Sequence, residues 1–273
     1  MEYKLRLAIL DMNAGRPNQG MRCIRELVQR YACEFDIEEF DVRTLHEIPG
    51  LDFDVYVSSG GPGNPLEGDG IWDKAWYSLI DELWNHNKKS DRKKFVFFIC
   101  HSFQMACHHF KLASITKRKL TSFGIMPVHL CADAVTDPVF QHLPNPFYAV
   151  DSRDWQIVQP RTEVFNQHGA TLLALENIKT QSDFECAIMA VRFSDEFLGT
   201  QFHPEADAPG MRLHFAKDEI REQVIDHFGE DNYNNMIHHL NDPDKIELTY
   251  NTILPIFIEN TLQHLHAYNE VHA

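Results

Sequence analysis

The 273-residue chain lacks any long apolar run, and its first residues carry charges at Glu2, Lys4 and Arg6, so neither a secretory signal nor a membrane-spanning helix is expected. Basic residues are in short supply. Lys and Arg number 25 against 40 Asp and Glu, for a formal net charge of −15, which argues against a nucleic-acid-binding surface or an anionic membrane as partner. An ATP-binding glycine-rich signature of the P-loop type is missing. The six cysteines (Cys23, Cys33, Cys100, Cys107, Cys131 and Cys186) share no repeated spacing, which excludes a disulfide framework and points to a reduced, cytoplasmic setting. Sixteen histidines are present, yet His108-His109, His238-His239 and His264-x-His266 lack the cysteine or carboxylate spacing of a metal site, so neither metal nor cofactor is expected.

What is there suits a globular enzyme. A hydrophobic share of 44% with 24% charged residues is ordinary for a chain that buries a core. Strand and helix patterns alternate from the start: Leu5 to Leu10 as a strand, a helical stripe at Met21, Ile24, Leu27 and Val28, then strands at Phe35 to Phe40 and Asp54 to Val57. A helix over Trp72 to Trp84 and a buried strand over Phe95 to Ile99 follow. This order predicts an α/β fold with a mainly parallel central sheet flanked by helices, its crevice beyond the strand C-termini. Short strands are expected at Gly124 to Leu130, Phe147 to Val150, Trp155 to Val158, Thr171 to Leu175, Ala187 to Phe193 and Phe197 to Gln201. The pattern changes after Asp207. Residues 1–207 are expected to form the α/β domain and 208–273 a helical C-terminal appendage, with Asp231 as an N-cap and Pro255 kinking the last helix.

Chemistry concentrates at strand ends. The run Phe-Val-Phe-Phe-Ile stops at Cys100, and Ser102 and Gln104 open a helical segment. A thiol at such a strand-to-helix turn faces the crevice with a helix N-terminus behind it, which favours a thiolate and supplies N–H donors for an oxyanion. Gly60-Gly61-Pro62-Gly63 follows another strand. His203 and Glu205, in Gly-Thr-Gln-Phe-His-Pro-Glu, lie two apart, so an extended segment projects both the same way and the carboxylate can fix the imidazole's tautomer.

Taken in order, Ser59-Gly60-Gly61-Pro62-Gly63, Ile99-Cys100-x-x-x-Gln104 and Gln201-Phe202-His203-Pro204-Glu205 resemble the class I glutamine amidotransferase domain, over roughly residues 5 to 206. The resemblance implies a nucleophile (Cys100), a base (His203) and an orienting carboxylate (Glu205) that release ammonia from glutamine through a γ-glutamyl thioester. It further implies an oxyanion site near Gly60, Gly61 and the amide after Cys100, and substrate contacts from Gln104 and, more loosely, Arg153 and Asp154. His101 adds a second imidazole beside the thiol. The implied partners are glutamine itself and a separate synthetase chain that accepts the ammonia; a homodimer is a further candidate. Relatives place glycine two residues before and two after the nucleophile, where this chain has Phe98 and Ser102. That departure leaves three functions open: the glutaminase, an acyltransferase or γ-glutamyl hydrolase on the same fold, and a non-catalytic binding or regulatory module.

Overall fold

A computed structural model describes residues 4–16, 18–176 and 186–272. The elements run β1 (Leu5–Asp11), α1 (Gln19–Gln29), β2 (Phe35–Asp41), β3 (Val55–Ser58), α2 (Trp72–Lys89), β4 (Phe95–Ile99) and α3 (His101–His109). They continue with β5 (Ser114–Leu130), β6 (Phe147–Val158), α4 (Thr162–His168), β7 (Thr171–Leu175), β8 (Ile188–Arg192) and β9 (Phe197–Thr200). Four helices follow: α5 (Ala208–Phe215), α6 (Asp218–Phe228), α7 (Glu230–Leu240) and α8 (Ile246–His272).

The sheet order is β2-β1-β3-β4-β9-β8-β7-β5-β6. The first five strands are parallel, as the alternating strand and helix pattern predicts, and the last four add to them antiparallel. Strands buried on both faces divide their side chains by parity. Leu5, Leu7 and Ile9 of β1 and Phe95, Phe97 and Ile99 of β4 pack on the face covered by α1 and α8. Ala8, Leu10, Val96 and Phe98 point to the face covered by α2 and α3. No helix among the described residues is long and apolar enough to cross a membrane.

Several expected boundaries move. The stretches expected as strands at Phe147 to Val150 and Trp155 to Val158 are one strand, because the polar Ser152-Arg153-Asp154 stays extended along β5, whose register shifts opposite Asp154. The basic start of β5 and the short α4 carry too little apolar periodicity to be read from sequence. Gly229, with φ 87°, takes the cap position expected of Asp231, which instead lies in the first turn of α7, where its charge still meets the positive helix end.

Residues 208–273 divide their packing. Met211, Phe215, Val224, Met236 and Leu240 of α5 to α7 close a cluster with Ile125 and Val150 of the β5–β6 hairpin. Tyr250, Ile253, Leu254, Phe257, Ile258 and Leu265 of α8 lie against the main sheet, and α8 continues as helix through Pro255.

The bulk of Phe98 is accommodated by a glycine elsewhere. Its ring faces away from the thiol's side of the sheet, with Trp76, Phe193 and Phe197 at centroid distances of 5.8, 5.6 and 6.0 Å. Its register partner on β9 is Gly199, where a Cβ would stand 2.5 Å from Phe103 Cδ2 and 3.1 Å from Phe98 Cβ. The absence of a side chain at Gly199 on the neighbouring strand thus leaves room for the rings of Phe98 and Phe103. Gly199→Ala should cost about 1–3 kcal/mol by overpacking. Urea denaturation measures it, and wild-type stability in the variant would show that the ring cluster has slack.

Candidate active site

The turn from β4 into α3 puts Cys100 at φ 49° and ψ −99°, a region that a residue with a side chain resists. Neighbours hold it there. Cys100 N donates to Thr200 O at 2.8 Å, and Cys100 O accepts from Gln104 N at 2.9 Å. Ser102 Oγ accepts from Ile99 N at 3.0 Å and donates to Ser58 O at 2.7 Å. A glycine at position 102 could not make this link, so the second departure from the family pattern ties the nucleophile's turn to the end of β3. The amide of His101 opens α3 without an intrahelical acceptor, next to the thiol.

His203 follows β9, which pairs directly with β4, so two residues far apart in sequence leave adjacent strands. His203 N donates to Val150 O of β6 at 2.8 Å, which fixes the backbone. Its Nδ1 lies 2.8 Å from Oε1 of Glu205, a residue only 1% exposed. Burial would lower the imidazole's pKa, but the Glu205 carboxylate and then Cys100 outweigh it and hold His203 well above its usual range. The protonated ring is thereby favoured, with Nδ1 on the carboxylate.

The glycine loop closes the third side. A Cβ on Gly60 would sit 2.9 Å from His203 Cε1 and 3.4 Å from Cys100 Cβ, so this loop runs directly against the gap between thiol and imidazole. At Gly61 a Cβ would collide with Met12 O, which explains the second glycine by close approach to the end of β1. Arg43 clamps the loop from outside by donating to Pro62 O at 2.7 Å.

One cavity of about 570 Å³ joins all of the expected site residues: Cys100, His203, Glu205, Gly60, Gly61, His101, Gln104, Arg153 and Asp154. They face it in different ways. Gln104 Nε2 donates to Trp155 O at 3.1 Å and to Gln201 Oε1 at 3.0 Å. Arg153 is buried and spends Nε on Asp151 and Nη2 on Glu176, leaving Nη1 without a hydrogen-bond partner among the described residues. Asp154 is exposed and accepts from Thr121 Oγ1 at 2.6 Å. His101 is 1% exposed, its Nε2 lacks a partner among the described residues, and burial, helped by Arg43, pushes its pKa down to about 3.

Sequence reasoning missed Gln201 and α1. Gln201 Nε2 lies 3.6 Å from Cys100 Sγ and passes the Gln104 contact on to the thiol. The signal was present, since Gln201 stands two residues before His203 in an extended segment and so shares its face. The first turn of α1, with Asn18, Gln19 and Gly20, lines the same cavity, and α5 supplies a wall through Met211 and His214. Among the described residues no three His, Cys, Asp or Glu side chains gather as metal ligands would.

The model of the family described as "Glutamine amidotransferase class-I" matches residues 19–223, and the chain belongs to that family. Solved structures agree on the fold. A glutamine amidotransferase from Thermotoga maritima is 17% identical, with a TM-score of 0.68, 96% of this chain and 100% of that one being covered. A Thermoplasma acidophilum protein described as one subunit of a GMP synthase is 18% identical, with a TM-score of 0.58 and coverage of 100% and 99%. The glutaminase domain of Trypanosoma brucei CTPS, solved with acivicin bound, is 15% identical, with a TM-score of 0.55 and coverage of 78% and 92%. No curated protein matches the chain.

Two outcomes follow from the geometry. Gly60→Ala should slow alkylation of Cys100 by iodoacetamide on the order of 10–100-fold with the circular dichroism spectrum unchanged; an undiminished rate would mean that the loop does not confine the pair. Because His101 is neutral in the fold but takes a proton in the unfolded chain below its ordinary pKa of about 6.5, it makes stability fall with pH across the window from about 6.5 down to about 3. His101→Leu should therefore lose about 2–3 kcal/mol less than wild type between pH 7 and 4.5 in urea titrations. Equal losses would mean that His101 is not held neutral.

Proposed function

We propose that this chain hydrolyses the side-chain amide of glutamine and delivers the ammonia to a separate synthetase chain. The observation that carries the reading is the His203–Glu205 bond of 2.8 Å beside a thiol held at positive φ, in one cavity with two bare glycines. Cys100 Sγ attacks the amide carbon, and the oxyanion is met by the amides of the Gly60–Gly61 loop and of His101. His203 gives its proton to the departing nitrogen, ammonia leaves, and a γ-glutamyl thioester remains on Cys100. Water then attacks the thioester and gives a proton to His203, and the C–S bond breaks to release glutamate. Glu205 holds the imidazole on Nδ1 in both steps. At the substrate's other end, the free Nη1 of Arg153 suits the α-carboxylate and the exposed Asp154 the α-ammonium. Gln104 acts through Gln201, because its amide hydrogens are already engaged.

The names of the similar structures support the partner: one is described as part of a GMP synthase and another as the glutaminase domain of CTPS. Six cysteines, all free, fit the reduced cytoplasmic setting. A second reading, hydrolysis of a γ-glutamyl amide larger than glutamine, is favoured by the cavity's size. Even at the roughly 30 Å³ that a water molecule claims in the liquid, the heavy atoms of glutamine fill only about half of it.

The test is covalent labelling. A chloroketone analogue of glutamine should modify Cys100, as located by mass spectrometry, and glutamine should protect against it, while Cys100→Ser releases no ammonia. Labelling that glutamine leaves untouched but a γ-glutamyl anilide blocks would move the assignment to the second reading. An inert thiol would end both.

A further inference from the structure

The acid that orients His203 is buried deeply and has only half of its hydrogen-bonding capacity met. Glu205 is 1% exposed; Oε1 takes His203 Nδ1, and Oε2 is buried with no hydrogen-bond partner among the described residues. The pairing with His203 meets one oxygen of this buried acid, and a further positive potential would favour the ion at the other. That potential is at hand in α1. A Cβ built on Gly20, the second residue of the helix, would lie 3.1 Å from Glu205 Oε1, so the bare first turn presses against the carboxylate. Asn18 caps this turn by accepting from Met21 N at 2.9 Å. The amides of Gln19 and Gly20 are left without intrahelical acceptors at the positive end of the helix.

We propose that the first turn of α1 is a positioning element of the reaction, and that Gly20 is a positioning residue which seats the Glu205 carboxylate on His203. The inference rests on the reading that Cys100, His203 and Glu205 work as a unit. Gly20 touches no reacting atom; it acts by leaving room. Any side chain there would meet both Asn18 Oδ1 and Glu205 Oε1 at 3.1 Å, and would either break the cap or turn the carboxylate off the imidazole. The other charged and titratable groups around Glu205 are accounted for. His203 and Cys100 belong to the unit itself. On α1, Arg22 is committed to Asp207 and Glu26, and burial raises the thiol of Cys23 to about 12, leaving it neutral. The helix end adds its positive potential to that of His203 at the acid, while Lys217 and His214 line the same cavity from α5 and beyond.

The experiment uses Gly20→Ala in the full chain and needs no substrate. Alanine is the better helix former, so a merely structural role predicts a protein at least as stable and otherwise unchanged. If the carboxylate is displaced, the His203 titration followed by NMR should fall by about one unit or more. The alkaline limb of the iodoacetamide–Cys100 profile should move with it, and alkylation near neutral pH should drop about tenfold. In a Glu205→Gln background the same alanine should add no further change, as expected of residues that act through one another. An unshifted His203 in Gly20→Ala, or an equal additional shift in the double variant, would overturn the proposal. Should Gly20→Ala fail to fold, Glu205→Gln alone decides: removing the charge should move the Gln19 and Gly20 amide proton resonances upfield, and unmoved resonances would refute the contact. These readouts stand apart from glutaminase activity. A shifted His203 in a protein that ignores glutamine would leave the inference intact and remove only the substrate.

Discussion

Everything at the site depends on the parallel pairing of β4 with β9. Through it Thr200 O takes the amide of Cys100, and the chain that leaves β9 carries Gln201, His203 and Glu205 past the thiol. Parallel strands end at the same edge of the sheet, so a thiol at the end of one and an imidazole just beyond the other meet in the same crevice. The same pairing sets Gly199 beside Phe98, so the partner strand also makes the space in which the unusual turn packs. Ser102 adds a side-chain tie from this turn to β3. Two substitutions that seem hostile to the nucleophile's turn are thus absorbed, one by a glycine on β9 and the other by hydroxyl hydrogen bonds.

How much of this could be read from the sequence follows from where the information resides. The inner parallel strands were legible because they are buried on both faces and appear as continuous apolar runs, such as Phe95 to Ile99, while the edge strand β2 showed as an alternation of apolar and acidic residues. Cys100, His203 and Glu205 were legible because each stands at the end of such a run or at period-two spacing after it. The antiparallel half was blurred. The polar stretch from Ser114 to Lys117 is held by pairing with Trp155 to Val158, and Ser122 and Phe123 by pairing with Arg153 and Ser152, which no local pattern encodes. The role of Gly199 and the approach of Gly20 to Glu205 were invisible for a stronger reason. Each exists only as the absence of a side chain facing a residue distant in sequence, and a lone glycine reads first as a turn.

The helices after β9 change the character of the crevice. Asp207 caps α5 through Gly210 N at 2.9 Å and takes the Arg22 guanidinium at 2.5 Å, which ties the start of that segment to α1. At Gly210 a Cβ would run into that same guanidinium. The wall that α5 adds to the cavity is therefore braced against the element whose first turn faces Glu205. Helix α8 leaves the site altogether and covers the sheet with a stripe of aliphatic and aromatic residues. One contiguous tail thus does two unrelated jobs: it completes the core and it narrows the approach to the thiol.

The two imidazoles next to Cys100 show why position in the sequence is a poor guide to proton chemistry. His101 is the thiol's immediate neighbour, yet burial without an acid partner keeps it neutral down to about pH 3. His203 comes from another strand, yet the Glu205 carboxylate keeps it protonated well above the usual range. Environments that push two like groups apart assign their roles. The protonated form is favoured at His203 and the neutral form at His101, although both rings lie beside the same thiol. The acid that separates the two is Glu205, and the first turn of α1 lies against it. The His203–Glu205 pair is in this way packed against bare backbone, from the side of the crevice where the sequence shows nothing more than a glycine.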